Sequence, residues 1–170
     1  MNFVPWRAKF KNIRTLVVCD HGSTMGLITY SYARTLNLKG WKVKQWVRVA
    51  SKPWELWETK IYLVPLVNKM EKIHRVKCFG VDLINSKLEK VLIDGVVHRF
   101  PKYAEDQLIR PLGHVQALIG LNMLDIFPVG PTPIAEGLGI FQTFFGSGYI
   151  LAGSHRKLKQ KILTSVTTHN

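Results

Sequence analysis

Cysteine is nearly absent from this sequence and long apolar runs are missing altogether. The two cysteines, Cys19 and Cys78, are too few and too far apart for a disulfide framework, so a reducing compartment is expected. Apolar stretches such as residues 15–19, 61–67 and 115–119 each end at a polar residue, a charge or a glycine, well short of the ~18 residues a membrane span needs. The opening Met1-Asn2-Phe3-Val4-Pro5-Trp6-Arg7 has neither the unbroken apolar stretch nor the small-residue cleavage site of a secretory signal. These absences point to an intracellular, cytoplasmic protein with no membrane partner. The histidines, His21, His74, His98, His114, His155 and His169, show none of the short ligand spacings of zinc sites, so neither a metal nor another cofactor is expected. Internal repeats and low-complexity tracts are also missing.

What is present is ordinary for one globular domain except in charge. Hydrophobic residues make up 46% and charged residues 21% of the 170, which excludes a disordered or fibrous chain. Lys and Arg number 24 against 11 Asp and Glu, a formal charge of +13, and such an excess favours nucleic acid or another polyanion through counterion release. No acid precedes Asp20 and none follows Glu136, while Arg156, Lys157, Lys159 and Lys161 crowd towards the end. Residues 1–12 read as an N-terminal extension, 13–155 as the domain, and 156–170 as a solvated basic tail, as on a fragment of a larger polyprotein.

Periodicity makes the chain mainly β. Residues 13–19 form an apolar run that stops at Asp20, where Gly22-Ser23-Thr24 supply turn chemistry. Residues 27–36 read as a strand passing into a short helix around 31–36, closed by 37–40. Residues 41–50 alternate, and 54–67 are strand-like after the break Ser51-Lys52-Pro53, so the two should form a long hairpin. Further strands are expected at 72–83, and at 87–93 and 96–100 across Asp94-Gly95, then a loop with a helical turn over 101–113. Residues 115–119 read as a buried strand, Gly120 as a close-approach position, and 121–126 as a short helix that Pro128 ends. A last hairpin spans 134–151.

Asp20 is the candidate for chemistry. Hydrolysing a peptide bond without a metal or covalent nucleophile takes one carboxylate to accept a proton from water and one acid to protonate the leaving side. Two carboxyls sharing one proton supply both, because close like charges do not ionise together cheaply. A chain with a single such Asp must pair with a copy of itself. In Asp20-His21-Gly22-Ser23-Thr24 the strand holds Asp20 stiffly, Gly22 lets its amide reach the carboxylate, and Ser23 is expected to donate to the outer oxygen.

A second motif raises the odds for this reading. Ala117-Leu118-Ile119-Gly120-Leu121-Asn122-Met123-Leu124-Asp125-Ile126 is an apolar strand ending in glycine, then a short amphipathic helix, and Ile119-Gly120-Leu121-Asn122-Met123-Leu124 is similar to the retroviral Ile-Gly-Arg-Asn-Leu-Leu. Ala33-Arg34-Thr35-Leu36-Asn37-Leu38 resembles an Ala-x-x-Leu-x-Leu helix. Phe145-Gly146-Ser147-Gly148-Tyr149-Ile150-Leu151-Ala152-Gly153 is similar to a Phe-Gly-(Ser-Gly)-Trp-x-Leu-x-Gly stretch. On these residues the chain resembles the retropepsin-like aspartic peptidases of BEL/Pao-type retrotransposons, over about residues 13–155.

The resemblance implies a closed β-barrel with one or two short helices and inserted strands within residues 69–113. It implies a homodimeric aspartic endopeptidase acting on a peptide or polyprotein, with Asp20 catalytic and His21, Gly22, Ser23 and Thr24 as the active-site loop. Ile119 and Gly120 would lie behind that loop, and Ser51, Lys52, Pro53 and Trp54 would form a substrate-covering flap. Trp54 and Trp57 would then offer apolar cover, or else pack on the core as part of an outer hairpin. Two positions depart from the family: His21 stands where it has Thr or Ser, and Leu121 where the retroviral enzymes have Arg. The competing expectation is a catalytically inactive relative that serves as a basic module for nucleic-acid binding, protein binding or dimerisation.

Overall fold

Short runs of β-branched and aromatic residues, broken by turn formers, build strands that half-bury one face. The computed structural model describes residues 2–3, 13–49, 52–67, 70–85, 113–143 and 149–153. In chain order these form β1 (Asn2–Phe3), β2 (Ile13–Arg14), β3 (Val17–Cys19), β4 (Gly26–Thr29), α1 (Tyr30–Thr35), β5 (Trp41–Arg48), β6 (Trp54–Val67), β7 (Ile73–Val81), β8 (Ala117–Ile119), a 3-10 helix (Leu121–Ile126), β9 (Val129–Ala135), β10 (Leu138–Gln142) and β11 (Tyr149–Gly153). The chain is mainly β. The strands expected at 87–93 and 96–100, most of the loop after them, Ser51 and the basic tail lie outside the described residues.

The strand-to-helix passage has a clear cause in Thr29. Its backbone is still extended, and its hydroxyl oxygen accepts the Tyr32 N–H at 3.3 Å, which caps α1. The helix turns Tyr32 and Ala33 inward. It ends where Asn37 takes a left-handed φ of 50°, a conformation asparagine tolerates better than most residues.

Eight strands make the larger sheet, in the order β2-β1-β6-β7-β4-β8-β3 with β5 added on β6. Neighbours are antiparallel except for β4 with β7 and β3 with β8. Among the described residues the sheet does not close into the expected barrel: its hydrogen bonding begins at β2 and stops at β3. The reason lies in the connection: β2 and β3 are separated only by Thr15 and Leu16, so they are successive parts of one extended run, which cannot pair with itself. Two residues span ~7 Å, and the two ends of the sheet therefore come back to nearly the same place. The sheet is rolled, and the chain itself bridges its seam.

The smaller sheet is the antiparallel meander β9-β10-β11. The sequence pattern predicts a single hairpin from residue 134, but β9 already begins at Val129. Pro131 and Pro133 conceal that strand from a propensity reading, and its edge position accommodates their missing N–H groups.

The core lies where α1 and the 3-10 helix meet the rolled sheet. It joins Ile28 of β4, Leu36 beyond α1, Val64 and Leu66 of β6, Val76 of β7 and Ile119 of β8, each at most 2% exposed. Truncating such a side chain removes its transfer energy and leaves a cavity. Ile28→Ala and Ile119→Ala are each expected to destabilise the fold by about 2–5 kcal/mol in urea unfolding, whereas Leu124→Ala, 64% exposed, should change it by no more than about 0.5 kcal/mol.

Candidate active site

The strands on either side of Asp20 are held apart by a third. β8 pairs in parallel with β3 through Val17↔Ala117, Val18↔Leu118 and Cys19↔Ile119, and antiparallel with β4 through Leu27↔Leu118 and Ile28↔Ala117. The chain leaves β3, crosses the end of β8 and returns as β4, and Asp20 stands at the start of that crossing. Two backbone bonds clamp it in place: Asp20 N–H donates to Ile119 O at 2.9 Å, and Leu121 N–H donates to Ser23 O at 2.8 Å.

Gly120 lies between those two bonds, directly behind the turn. A Cβ there would come 2.7 Å from Ser23 O and closer still to Met25 O. Its φ of −98° is open to any residue, so the demand for glycine comes from space and not from backbone conformation. Ile119 ends β8, and Gly120 follows it against the backbone of the turn.

Within the turn, Asp20 is partly buried and His21, Gly22 and Thr24 are exposed. Gly22 N–H donates to Asp20 Oδ1 at 2.8 Å, and a Cβ on Gly22 would sit 3.2 Å from that oxygen. Ser23 behaves otherwise than expected. Its hydroxyl donates to Met25 O at 2.8 Å and accepts Met25 N–H at 3.3 Å, a local side-chain-to-backbone turn that outcompetes the carboxylate. The His21 ring meets the buried Phe127 edge to face, with centroids 4.7 Å apart and planes at 75°. The arrangement leaves a fixed carboxylate edge at the rim of a rolled sheet.

The cysteines next to this scaffold are built into its core. Burial pushes the Cys19 thiol up to about 11 and the Cys78 thiol up to about 12, which keeps both protonated and poorly nucleophilic near neutrality. Among the described residues, no three or more His, Cys, Asp or Glu side chains gather as a metal-holding group. No described helix is long and apolar enough to cross a membrane.

The expected hairpin is present as an arm. β5 and β6 pair from Trp41↔Ile61 to Arg48↔Trp54, whereas the ladder between β6 and β7 begins only at Ile61. The stretch from Trp54 to Ile61 lies beyond that ladder, ~23 Å of strand, capped by Lys52 N–H donating to Val49 O at 3.0 Å. One face is inward, with Val47, Thr59 and Ile61 buried and Trp57 partly so. Trp54 lies on the other, exposed face, which it shares with Arg48. Among the described residues no hydrogen bond joins Lys52, Pro53 or Trp54 to the Asp20 turn.

The sequence reading missed the residues that tie this arm down. The Tyr30 hydroxyl and Thr59 Oγ1 lie 2.7 Å apart, and Thr59 Oγ1 donates to Gly80 O at 2.5 Å, linking the arm to α1 and β7. Nothing in the sequence pattern singled out Thr59 or named its partners. In comparisons with known proteins, no family model, curated protein or solved structure matches this chain.

Two outcomes follow from this geometry. Gly120→Ala forces a methyl against backbone carbonyls and is expected to lower stability by about 1–3 kcal/mol, read as a drop of several degrees in the thermal midpoint. The raised thiols of Cys19 and Cys78 mean that the folded chain keeps protons that the unfolded chain gives up above its ordinary thiol value of 9.0. Stability should therefore fall as pH rises from about 9 through 11, and replacing Cys19 by Ser should flatten that slope in urea unfolding.

Proposed function

We propose that the chain is a retropepsin-type aspartic endopeptidase whose catalytic pair is assembled from the Asp20 carboxylates of two copies. The observation that carries this reading is the crossing over β8: a strand-end Asp, its Oδ1 held by the Gly22 amide, with the Cα of Gly120 packed directly behind the turn. That arrangement fits a group that must present one edge of a carboxylate without moving. The mainly β fold with its projecting hairpin supports this reading, and the open sheet departs from the closed barrel that the resemblance implies.

In the proposed dimer one Asp20 is ionised and the other carries the shared proton. The ionised carboxylate takes a proton from a water lying between them as the water oxygen attacks the scissile carbonyl carbon, and the protonated partner gives its proton to the carbonyl oxygen. Collapse of the tetrahedral diol breaks the C–N bond: the nitrogen takes the proton held by one carboxyl while a diol hydroxyl returns its proton to the other, so the pair again shares one. The Gly22 amide keeps each carboxylate in orientation throughout, so little reorganisation accompanies the transfers. An extended peptide would lie beneath the arms by strand-like hydrogen bonding, with Trp57 of the inner face supplying apolar area. The natural substrate would be a retrotransposon polyprotein.

His21 gives the proposal its particular character. Where the family sets a hydroxyl across the dimer axis, this chain carries an imidazole that packs on Phe127. That cross-axis hydrogen bond is lost, and the dimer is weaker for it. Cleavage of a quenched-fluorescence peptide library by the purified chain should therefore rise more steeply than linearly with enzyme concentration. Asp20→Asn should reduce kcat/KM by at least about 100-fold with the fold retained. Equal cleavage by Asp20→Asn would overturn the assignment of Asp20, and no cleavage by either chain would leave a catalytically silent binding module as the better reading.

A further inference from the structure

The exposed face of the β5–β6 arm combines two features that seldom stay in water together. Register sets Lys42 opposite Lys60, Lys44 opposite Glu58, Trp46 opposite Leu56 and Arg48 opposite Trp54, and directly opposed residues share a face. All eight are exposed. Trp46 is 58% and Trp54 61% exposed, with Leu56 beside them at 44%. Four cations line the same surface against one carboxylate, and that carboxylate is engaged by Lys44.

We infer that this face is a docking surface for single-stranded nucleic acid, with bases stacked on Trp46 and Trp54 and phosphates tracking Lys42, Arg48 and Lys60. Charge complementarity decides the class of partner. The chain carries +13, which draws in polyanions generally, and the arm adds flat aromatic faces next to its cations. Trp46 and Trp54 occupy diagonal positions about 7–8 Å apart, so successive unstacked bases can meet them in turn. Indoles at such positions serve a single strand, whose bases are free to stack, better than a duplex, whose bases are already paired. A folded protein partner fits less well, since the centre of a protein interface is depleted in lysine. This inference rests on the arm's outer face alone and does not depend on peptide cleavage.

The test is binding of a fluorescein-labelled oligothymidylate to the whole chain, followed by anisotropy over a salt series and by intrinsic tryptophan fluorescence. Binding should quench the tryptophans. Trp46→Ala with Trp54→Ala should weaken binding by roughly tenfold or more while the salt slope stays as it was. Lys42→Gln with Arg48→Gln and Lys60→Gln should reduce the slope of log affinity against log salt by about 2. The matched set Arg34→Gln, Lys39→Gln and Lys77→Gln, exposed but off the arm, should change it far less. Asp20→Asn should bind as the wild type does, so a failed peptidase assay would leave this result standing.

Circular dichroism checks that each variant keeps its fold, which these exposed positions favour. Absent quenching would overturn the inference. So would equal binding of a duplex with the tryptophan changes silent, since charge alone would then explain affinity. Competition by phosphatidylserine vesicles at equal strength, lost with the tryptophan changes, would overturn it in favour of a membrane surface.

Discussion

Two backbone carbonyls, those of Ser23 and Met25, press onto the Cα of Gly120, and the arrangement around Asp20 depends on that close approach. With any side chain at position 120 the turn would have to lift away from β8, and the bonds from Asp20 N–H to Ile119 O and from Leu121 N–H to Ser23 O would stretch. Glycine removes the obstacle, so β8 can share one hydrogen-bonded edge with β3 and β4, which lie far earlier in the chain. Asp20 takes its fixed orientation from this contact, and β4 takes its place in the sheet from the same crossing.

From that crossing the order propagates along β4 into the rest of the molecule. Thr29 ends the strand, caps α1, and donates its hydroxyl to Gln116 Oε1 at 2.6 Å on the segment entering β8. Tyr30, the next residue, reaches Thr59 at the base of the arm, and Thr59 reaches Gly80 of β7. Buried hydroxyls are stable only when paired, so this chain of hydroxyls joins the segment entering β8, the first helix, β7 and the projecting hairpin. The arm then offers two unlike surfaces. Its inner face buries Val47, Thr59 and Ile61, while its outer face leaves Trp46 and Trp54 in water among cations.

Much of this was readable from local pattern. The strand before Asp20, the short helix, the long hairpin and the glycine-ended strand at 117–120 all follow from period, turn chemistry and the steric freedom of glycine. The Gly22 amide on the carboxylate was likewise foreseen, because it needs only neighbouring residues. Ser23 was misjudged for a related reason. Its hydroxyl had a nearer carbonyl to donate to, and local geometry prevailed over the functional expectation. β9 was hidden by Pro131 and Pro133, whose cost to a strand vanishes only at a sheet edge, and edge position is not written in local sequence.

What the sequence determined by itself was which residues could be strand, turn or close-approach points, because those properties belong to side-chain shape and backbone freedom within a few residues. Tertiary structure alone decided that β8 inserts between β3 and β4, that the sheet rolls without closing, and that Thr59 answers Tyr30. These are pairings between distant segments, and many partners satisfy the same local pattern. Only simultaneous packing of one core, in which Ile28, Ile119 and Val76 must all be buried at once, selects among them. Which face of the arm meets water was settled in the same way, by what the rest of the chain left uncovered.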